Sequence, residues 1–255
     1  MVSDEEFEQL PPESWRIIGR IVQSSNSALL VESHSIRGVY KSVNRERPLW
    51  DFPLETLCLR ELQAYKIDRL LGFNLIPSTV WIESDEMAPG IVQQYVEDAD
   101  TKDVRLINSN VDSGEWVTIL KGNVDDEDIY LQHALGDDVL RAAVLDVLIN
   151  NSDRKAGHML RDPQQKLWLI DHGVCFHVED KLRTVLWGWI GQTIPTDLRG
   201  ILERMQSNQE WRKVWILSEE ERIAFENRLE ILLTDGMPEP NESWPSLPSP
   251  LFDLR

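Results

Sequence analysis

The chain has 255 residues, with Lys and Arg totalling 26 and Asp and Glu 44, so its formal charge is 26 − 44 = −18. An apolar share of 42% with 27% charged residues is globular composition, and the length suits one large domain or two packed lobes. The acidic balance argues against broad affinity for nucleic acid or anionic lipid, both of which need clustered Lys and Arg.

Two cysteines, Cys58 and Cys175, with no CxxC, imply free thiols in a reducing cytosol rather than a disulfide scaffold. The start, Met1-Val2-Ser3-Asp4-Glu5-Glu6, has no signal-peptide core, and no apolar run of spanning length occurs. A soluble cytoplasmic protein is expected.

Residues 1–13 read as an acidic lead-in ending at Pro11-Pro12. Three strands are expected over 15–23, 28–32 and 36–43, with Ser24-Ser25-Asn26-Ser27 as the first turn. Residues 48–53 form a loop carrying Trp50 and Phe52. Residues 54–71 have helical spacing and stop at Gly72, a C-cap candidate. Two more strands follow near 79–83 and 90–96. Glu97-Asp98-Ala99-Asp100 reads as a connector, and 103–128 as loop-rich.

Residues 137–150 are an amphipathic helix with Val139, Leu140, Ala143, Val144, Val147 and Leu148 at helical spacing. A polar loop over 150–157 leads into a hairpin turning at Asp162-Pro163. The span 182–233 reads as helical. The Pro-rich tail from Gly236 reads as a strap, with Trp244 as its pin. Strands, one helix, strands, a connector and a mostly helical half give an α+β fold with two lobes, unlike the βαβα alternation of a doubly wound sheet.

Three charged residues stand where apolar ones belong. Lys41 shares a strand face with Val39 and Val43. Glu61 shares a helix face with Leu54, Leu57, Cys58 and Tyr65. Singly, each has an ordinary reading, a snorkelling lysine and a glutamate at the edge of an apolar face. Together they predict a buried ion pair. Asp171 ends the apolar run Leu167-Trp168-Leu169-Ile170 just before His172-Gly173, a place for a metal-binding carboxylate or for a simple turn cap.

The preceding segment, Asn150-Asn151-Ser152-Asp153-Arg154-Lys155-Ala156-Gly157-His158, adds a possible proton acceptor in Asp153, a phosphate contact in Lys155 and a second metal ligand in His158. Arg154 has an ordinary reading as a partner of Asp146 or Asp171. His172 and His177 read as turn and surface residues.

Lys41 on a strand, Glu61 in Arg-Glu-Leu-Gln-Ala-Tyr, Asp153 in Asn-Ser-Asp-Arg and Asp171 in Ile-Asp-His-Gly resemble the protein-kinase-like fold, especially its phosphatidylinositol 3-/4-kinase-like branch and bacterial members of it. The resemblance spans roughly residues 15–235. It implies lobes at 14–98 (a sheet plus one helix) and 99–235 (mostly helical), with 236–255 as the strap. It further implies ATP as cofactor with Mg2+ or Mn2+. Lys41 would hold the α/β-phosphates and Glu61 would orient it. Gln94, Tyr95 and Val96 would form the hinge under adenine, and Ser25 and Asn26 the phosphate-covering turn. Asp153 would be the catalytic base, assisted by Lys155, and Asp171 and His158 the metal ligands.

His158 stands where kinases carry a metal-binding Asn, which tilts metal preference toward Mn2+ or removes a second site. The serine turn replaces a glycine-rich loop. The implied activity is phosphoryl transfer to a soluble protein or small-molecule hydroxyl, with no nucleic-acid partner and no stable membrane association. Transfer of a nucleotidyl group is a variant of it. A pseudokinase scaffold and a metal-dependent hydrolase built on Asp153, His158, Asp171, His172 and His177 are the alternatives. The segment 181–195, with Arg183, Trp187 and Trp189, reads either as an acceptor platform or as plain packing.

Overall fold

A computed structural model describes residues 1–21, 28–109, 114–243 and 245–249. Ser25, Asn26 and Trp244 therefore lie outside the described residues.

The acidic lead-in contains a short helix, α1 (Asp4–Glu8), whose N-cap Ser3 accepts the Glu6 amide. It is part of the packing. Phe7 is buried against Trp15, with ring centroids 5.5 Å apart, and Asp4 pairs with Arg69 at 2.6 Å.

The first sheet takes β1 (Arg16–Arg20), β2 (Leu29–Ser33) and β3 (Ile36–Ser42). Helix α2 (Leu57–Leu71) follows, then β4 (Thr79–Ile82) and β5 (Gly90–Gln94). The strands are antiparallel in the order β1-β2-β3-β5-β4. Gly72 ends α2 in the left-handed region at φ 69°, where a side chain would be strained, and its amide bonds to Arg69. Helix α2 starts three residues later than its apolar spacing suggests. Its first amides, at Leu57 and Cys58, are capped by the Glu46 carboxylate from the preceding segment.

The segment expected to be loop-rich forms a second antiparallel sheet. Its strands are β6 (Val104–Ile107), β7 (Trp116–Val124) and β8 (Glu127–Ala134), in the order β6-β8-β7. Two features hide it from a sequence reading. The β7–β8 ribbon is exposed toward its turn and mostly half-buried elsewhere, so it lacks clean apolar alternation. Its two-residue turn is Asp125-Asp126, both at positive φ (51° and 65°), in place of the glycine that usually marks such hairpins.

Helix α3 (Asp137–Ile149) is buried on nearly every side and centres the larger core. It caps at Asn150, in the left-handed region at φ 51°. Strands β9 (Met159–Arg161) and β10 (Leu167–Leu169) form the expected hairpin. Helices α4 (Thr196–Ser207) and α5 (Glu219–Thr234) complete the second half, α5 starting from a Ser218–Glu221 capping box.

Residues 182–195 are not helical, contrary to expectation. Gly188, Gly191 and Pro195 interrupt the apolar spacing, leaving a 3-10 turn at Trp187–Trp189. Gly188 sits so close to the second sheet that a Cβ there would lie 2.4 Å from Val117 Cγ1. The tail is extended and is held by Trp187, whose Nε1 donates to the Ser246 carbonyl at 2.9 Å.

Candidate phosphoryl-transfer site

The pleat of β3 divides its side chains. Tyr40 faces the small cluster with Trp15, Leu29 and Val31, while Lys41 faces the other way with Val39. Helix α2 presents Glu61, which is 3% exposed, to the same side. Lys41 Nζ donates to Glu61 Oε1 at 2.6 Å and to Asp171 Oδ1 at 3.1 Å. Lys41, Glu61 and Asp171 side chains are 14%, 3% and 34% exposed, so the carboxylate of Asp171 is the group that solvent reaches most.

Burial works against the Lys41 charge, but Asp171 and Glu61 outweigh it and hold the ammonium protonated well above the usual lysine range. The same ammonium, ahead of burial and helped by His158, holds Asp171 well below the usual carboxylate range. Burial pushes Glu61 upward against the pull of Lys41.

Asp171 leaves β10 in the left-handed region at φ 63°, a conformation short polar side chains tolerate. His158 Nε2 lies 3.5 Å from Asp171 Oδ2. Asp153 stands in the loop after α3, its amide bonded to Asn151 Oδ1 at 3.0 Å and its Oδ2 paired with Lys155 Nζ at 3.1 Å. Burial raises its pKa against the opposing charges of Lys155 and His158, which strengthens it as a proton acceptor. The structure thus brings Lys41, Glu61, Asp153, Lys155, His158 and Asp171 into one constellation.

The loop is far more embedded than its polar sequence suggests. Asn150, Asn151, Ser152 and Arg154 are buried. Asn150 Nδ2 donates to the His177 and Glu179 carbonyls at 2.9 and 2.6 Å, and Ser152 Oγ to the Val174 carbonyl at 2.6 Å. Arg154 pairs with Asp146 at 2.9 Å, both side chains fully buried, so it is no surface cation for a phosphate. His172 is not a turn-surface residue but is wholly buried beside Arg154, at 2.8 Å. His177 instead contacts the Asp51 carbonyl at 3.0 Å.

At the hinge, the Gln94 amide donates to Ser78 and the Tyr95 amide to Arg37. Both amide donors are therefore engaged within the protein, which leaves only the carbonyls of Gln94 and Tyr95 for the expected adenine contact. Among the described residues none accepts from the Val96 amide. The 181–195 segment resolves toward packing. Trp187 is buried and Trp189 stacks on His133 at 4.9 Å.

Asp171 and His158 offer two donors facing each other. Among the described residues no group of three or more His, Cys, Asp or Glu side chains could hold a metal ion. The pair fits a hard divalent ion that takes its remaining oxygens from phosphate and water, and does not fit a resident ion held by protein alone. The grouping required by a five-residue hydrolase centre is absent there too. An open concavity of about 880 Å3 lies elsewhere, on the second sheet between Arg105, Trp116 and Ile129. None of the predicted site residues lines it.

Asp146 was expected only as one of two partners for Arg154, although its inward placement was also legible. It is a charge on the buried face of α3, spaced three and four residues from Ala142, Ala143, Ile149 and Asn150, as Glu61 is among apolar residues on α2.

An antiparallel sheet with one helix, a helix-rich second half and a lysine on β3 paired with a glutamate on α2 define an α+β fold. The chain belongs to the family of protein Rv2133c of Mycobacterium tuberculosis (strain ATCC 25618 / H37Rv), to which it is 40% identical over 206 residues, covering 75% of this chain and 74% of that protein. No family model matches the chain. The solved structure of the Helicobacter pylori proinflammatory kinase CtkA aligns with a TM-score of 0.46 at 15% identity over 90% of this chain and 93% of that one, a likeness too loose to carry an inference. Among the described residues no helix is long and apolar enough to cross a membrane.

Proposed function

We propose that this protein is an ATP-dependent phosphotransferase of the kinase type, related to the phosphatidylinositol 3-/4-kinase-like branch. The observation that carries the reading is Lys41 Nζ held between Glu61 and Asp171 at 2.6 and 3.1 Å, with Asp153 and His158 alongside. In such a site catalysis is mostly positioning and charge stabilisation.

Glu61 fixes the Lys41 ammonium, which contacts the α/β-phosphates. Asp171, with His158, holds Mg2+ or Mn2+, and the ion supplies charge neutralisation between phosphate groups. Asp153 accepts the proton of the acceptor hydroxyl, and Lys155 balances charge near the transferring group. The Val96 amide is the hinge donor available to adenine. The acceptor is a soluble protein or small molecule. A charge of −18 gives no attraction to an anionic bilayer.

Thermal shift with ATP and Mg2+ or Mn2+, followed by turnover, tests this. Lys41→Met abolishes nucleotide binding. Asp153→Ala keeps binding and lowers transfer by about 100- to 10,000-fold. Lys41→Met with wild-type ATP affinity refutes the placement. The Lys155–Asp153 pairing favours a second reading, a nucleotide-binding scaffold. Stoichiometric binding without transfer to any acceptor would select it.

A further inference from the structure

Between the Asp153 loop and the Asp171 turn lies a group the proposed chemistry does not use. Arg154 is entirely buried. Its Nε donates to both Asp146 carboxylate oxygens at 3.2 and 3.1 Å. One terminal nitrogen reaches Asp146 Oδ1 at 2.9 Å and His172 Nε2 at 2.8 Å. The other reaches the carbonyls of His158 at 3.3 Å and Ile170 at 3.0 Å.

These partners are not scattered. His158 is a proposed metal ligand, and Ile170 and His172 flank Asp171. Arg154 itself follows Asp153. Asp146 extends the same centre, accepting from Asn151 Nδ2 at 2.9 Å and from Thr184 Oγ1 at 3.1 Å. One guanidinium, itself next to Asp153, thus touches the residues on both sides of Asp171 and the carbonyl of His158, while lying out of reach of solvent.

We infer that Arg154, seated on Asp146, is a positioning residue that sets the separation between Asp153 on one loop and Asp171 with His158 on the other, an inference that rests on the phosphotransferase reading. The chemistry requires arginine. Only a planar fork has enough donors in fixed directions to satisfy a carboxylate, two carbonyls and an imidazole at once. A lysine would neutralise Asp146 but release the rest. Arginine can only donate, so His172 accepts from it at Nε2.

Arg154→Lys in the full chain tests the inference with two readouts. In steady-state phosphoryl transfer, kcat falls by about 10- to 100-fold while KM for ATP stays within about threefold of wild type. In amide hydrogen exchange, the 150–158 loop and the 170–174 turn lose protection together. A kcat within twofold of wild type in a folded variant overturns the inference. So does loss of protection confined to the 150–158 loop.

Should Arg154→Lys fail to fold, His172→Leu removes only the Nε2 acceptor and is expected to shift both readouts in the same direction. If the wild-type protein transfers no phosphate, the phosphotransferase reading fails by itself. The exchange experiment then decides alone whether Arg154 couples the two loops.

Discussion

Lys41 with Glu61 and Arg154 with Asp146 are two buried ion pairs in the same centre, built to different ends. The first is a point charge shared by two carboxylates, one of which, Asp171, is open to solvent. The second is a fork with both members sealed and every other donor turned to backbone or imidazole. A buried charge pair is weak evidence for stability, because desolvation offsets the attraction. What separates the two is whether a partner can be exchanged for a ligand. On the proposed phosphotransferase reading, Asp171 would exchange Lys41 for a metal ion, and Lys41 would turn to a phosphate. Arg154 has nothing to exchange, and its role is to fix distances.

The largest expected effect is a crossing one. Asp146→Leu leaves Arg154 as an uncompensated buried charge and destabilises the fold by about 3–5 kcal/mol, measured by urea unfolding. Lys41→Met removes nucleotide binding at a smaller cost in stability, since Asp171 is partly exposed and the orphaned Glu61, already pushed upward by burial, takes up a proton. If both variants lose stability equally, the distinction between an exchangeable and a sealed pair is broken.

A second experiment sharpens it. Asp146→Leu combined with Arg154→Met removes both charges, and the double variant regains at least about 1 kcal/mol over Asp146→Leu alone. The double variant still lacks the fork, so phosphoryl transfer does not return with stability. Recovery of both together would show that the pair serves packing only.

A third effect, confined to acidic pH, concerns a buried polar group with no counter-charge. His133 on β8 accepts the Gly188 amide at Nε2, 2.9 Å away, and its Nδ1 lies 2.9 Å from the Ala134 carbonyl. Burial pushes its pKa down to about 4. The unfolded chain therefore binds a proton near pH 6.5 that the folded chain refuses until pH 4. Stability is fully present above pH 6.5 and falls as pH drops through that window, by about 2 kcal/mol at pH 5. In His133→Gln this part of the pH dependence disappears. An unchanged slope between pH 7 and 5 would place the titrating group elsewhere.

The two sheets differ in how legible they were. The first is half-covered, and its strands show apolar alternation bounded by turn residues. The second has few buried positions and turns on Asp125-Asp126, so neither periodicity nor glycine marks it. Legibility followed burial in β2 and β3, whose alternate side chains are buried, whereas the exposed β1 was marked by its apolar residues and the polar turn after it.

The site divides along the same line. Strand period two and helix period 3.6 were enough to show that Lys41 and Glu61 face inward and that Asp171 ends a buried run. Those are local facts about which way a side chain points. Which group it meets is not local. Lys41 and Asp171 are 130 residues apart in the chain and 3.1 Å apart in space. Only tertiary packing chose Asp146 over Asp171 as the partner of Arg154, engaged the Gln94 and Tyr95 amides within the sheet, and buried His172. The sequence by itself determined where charges break the apolar pattern. The tertiary structure decided their partners, because a buried charge takes whichever counter-group the fold brings within hydrogen-bond reach.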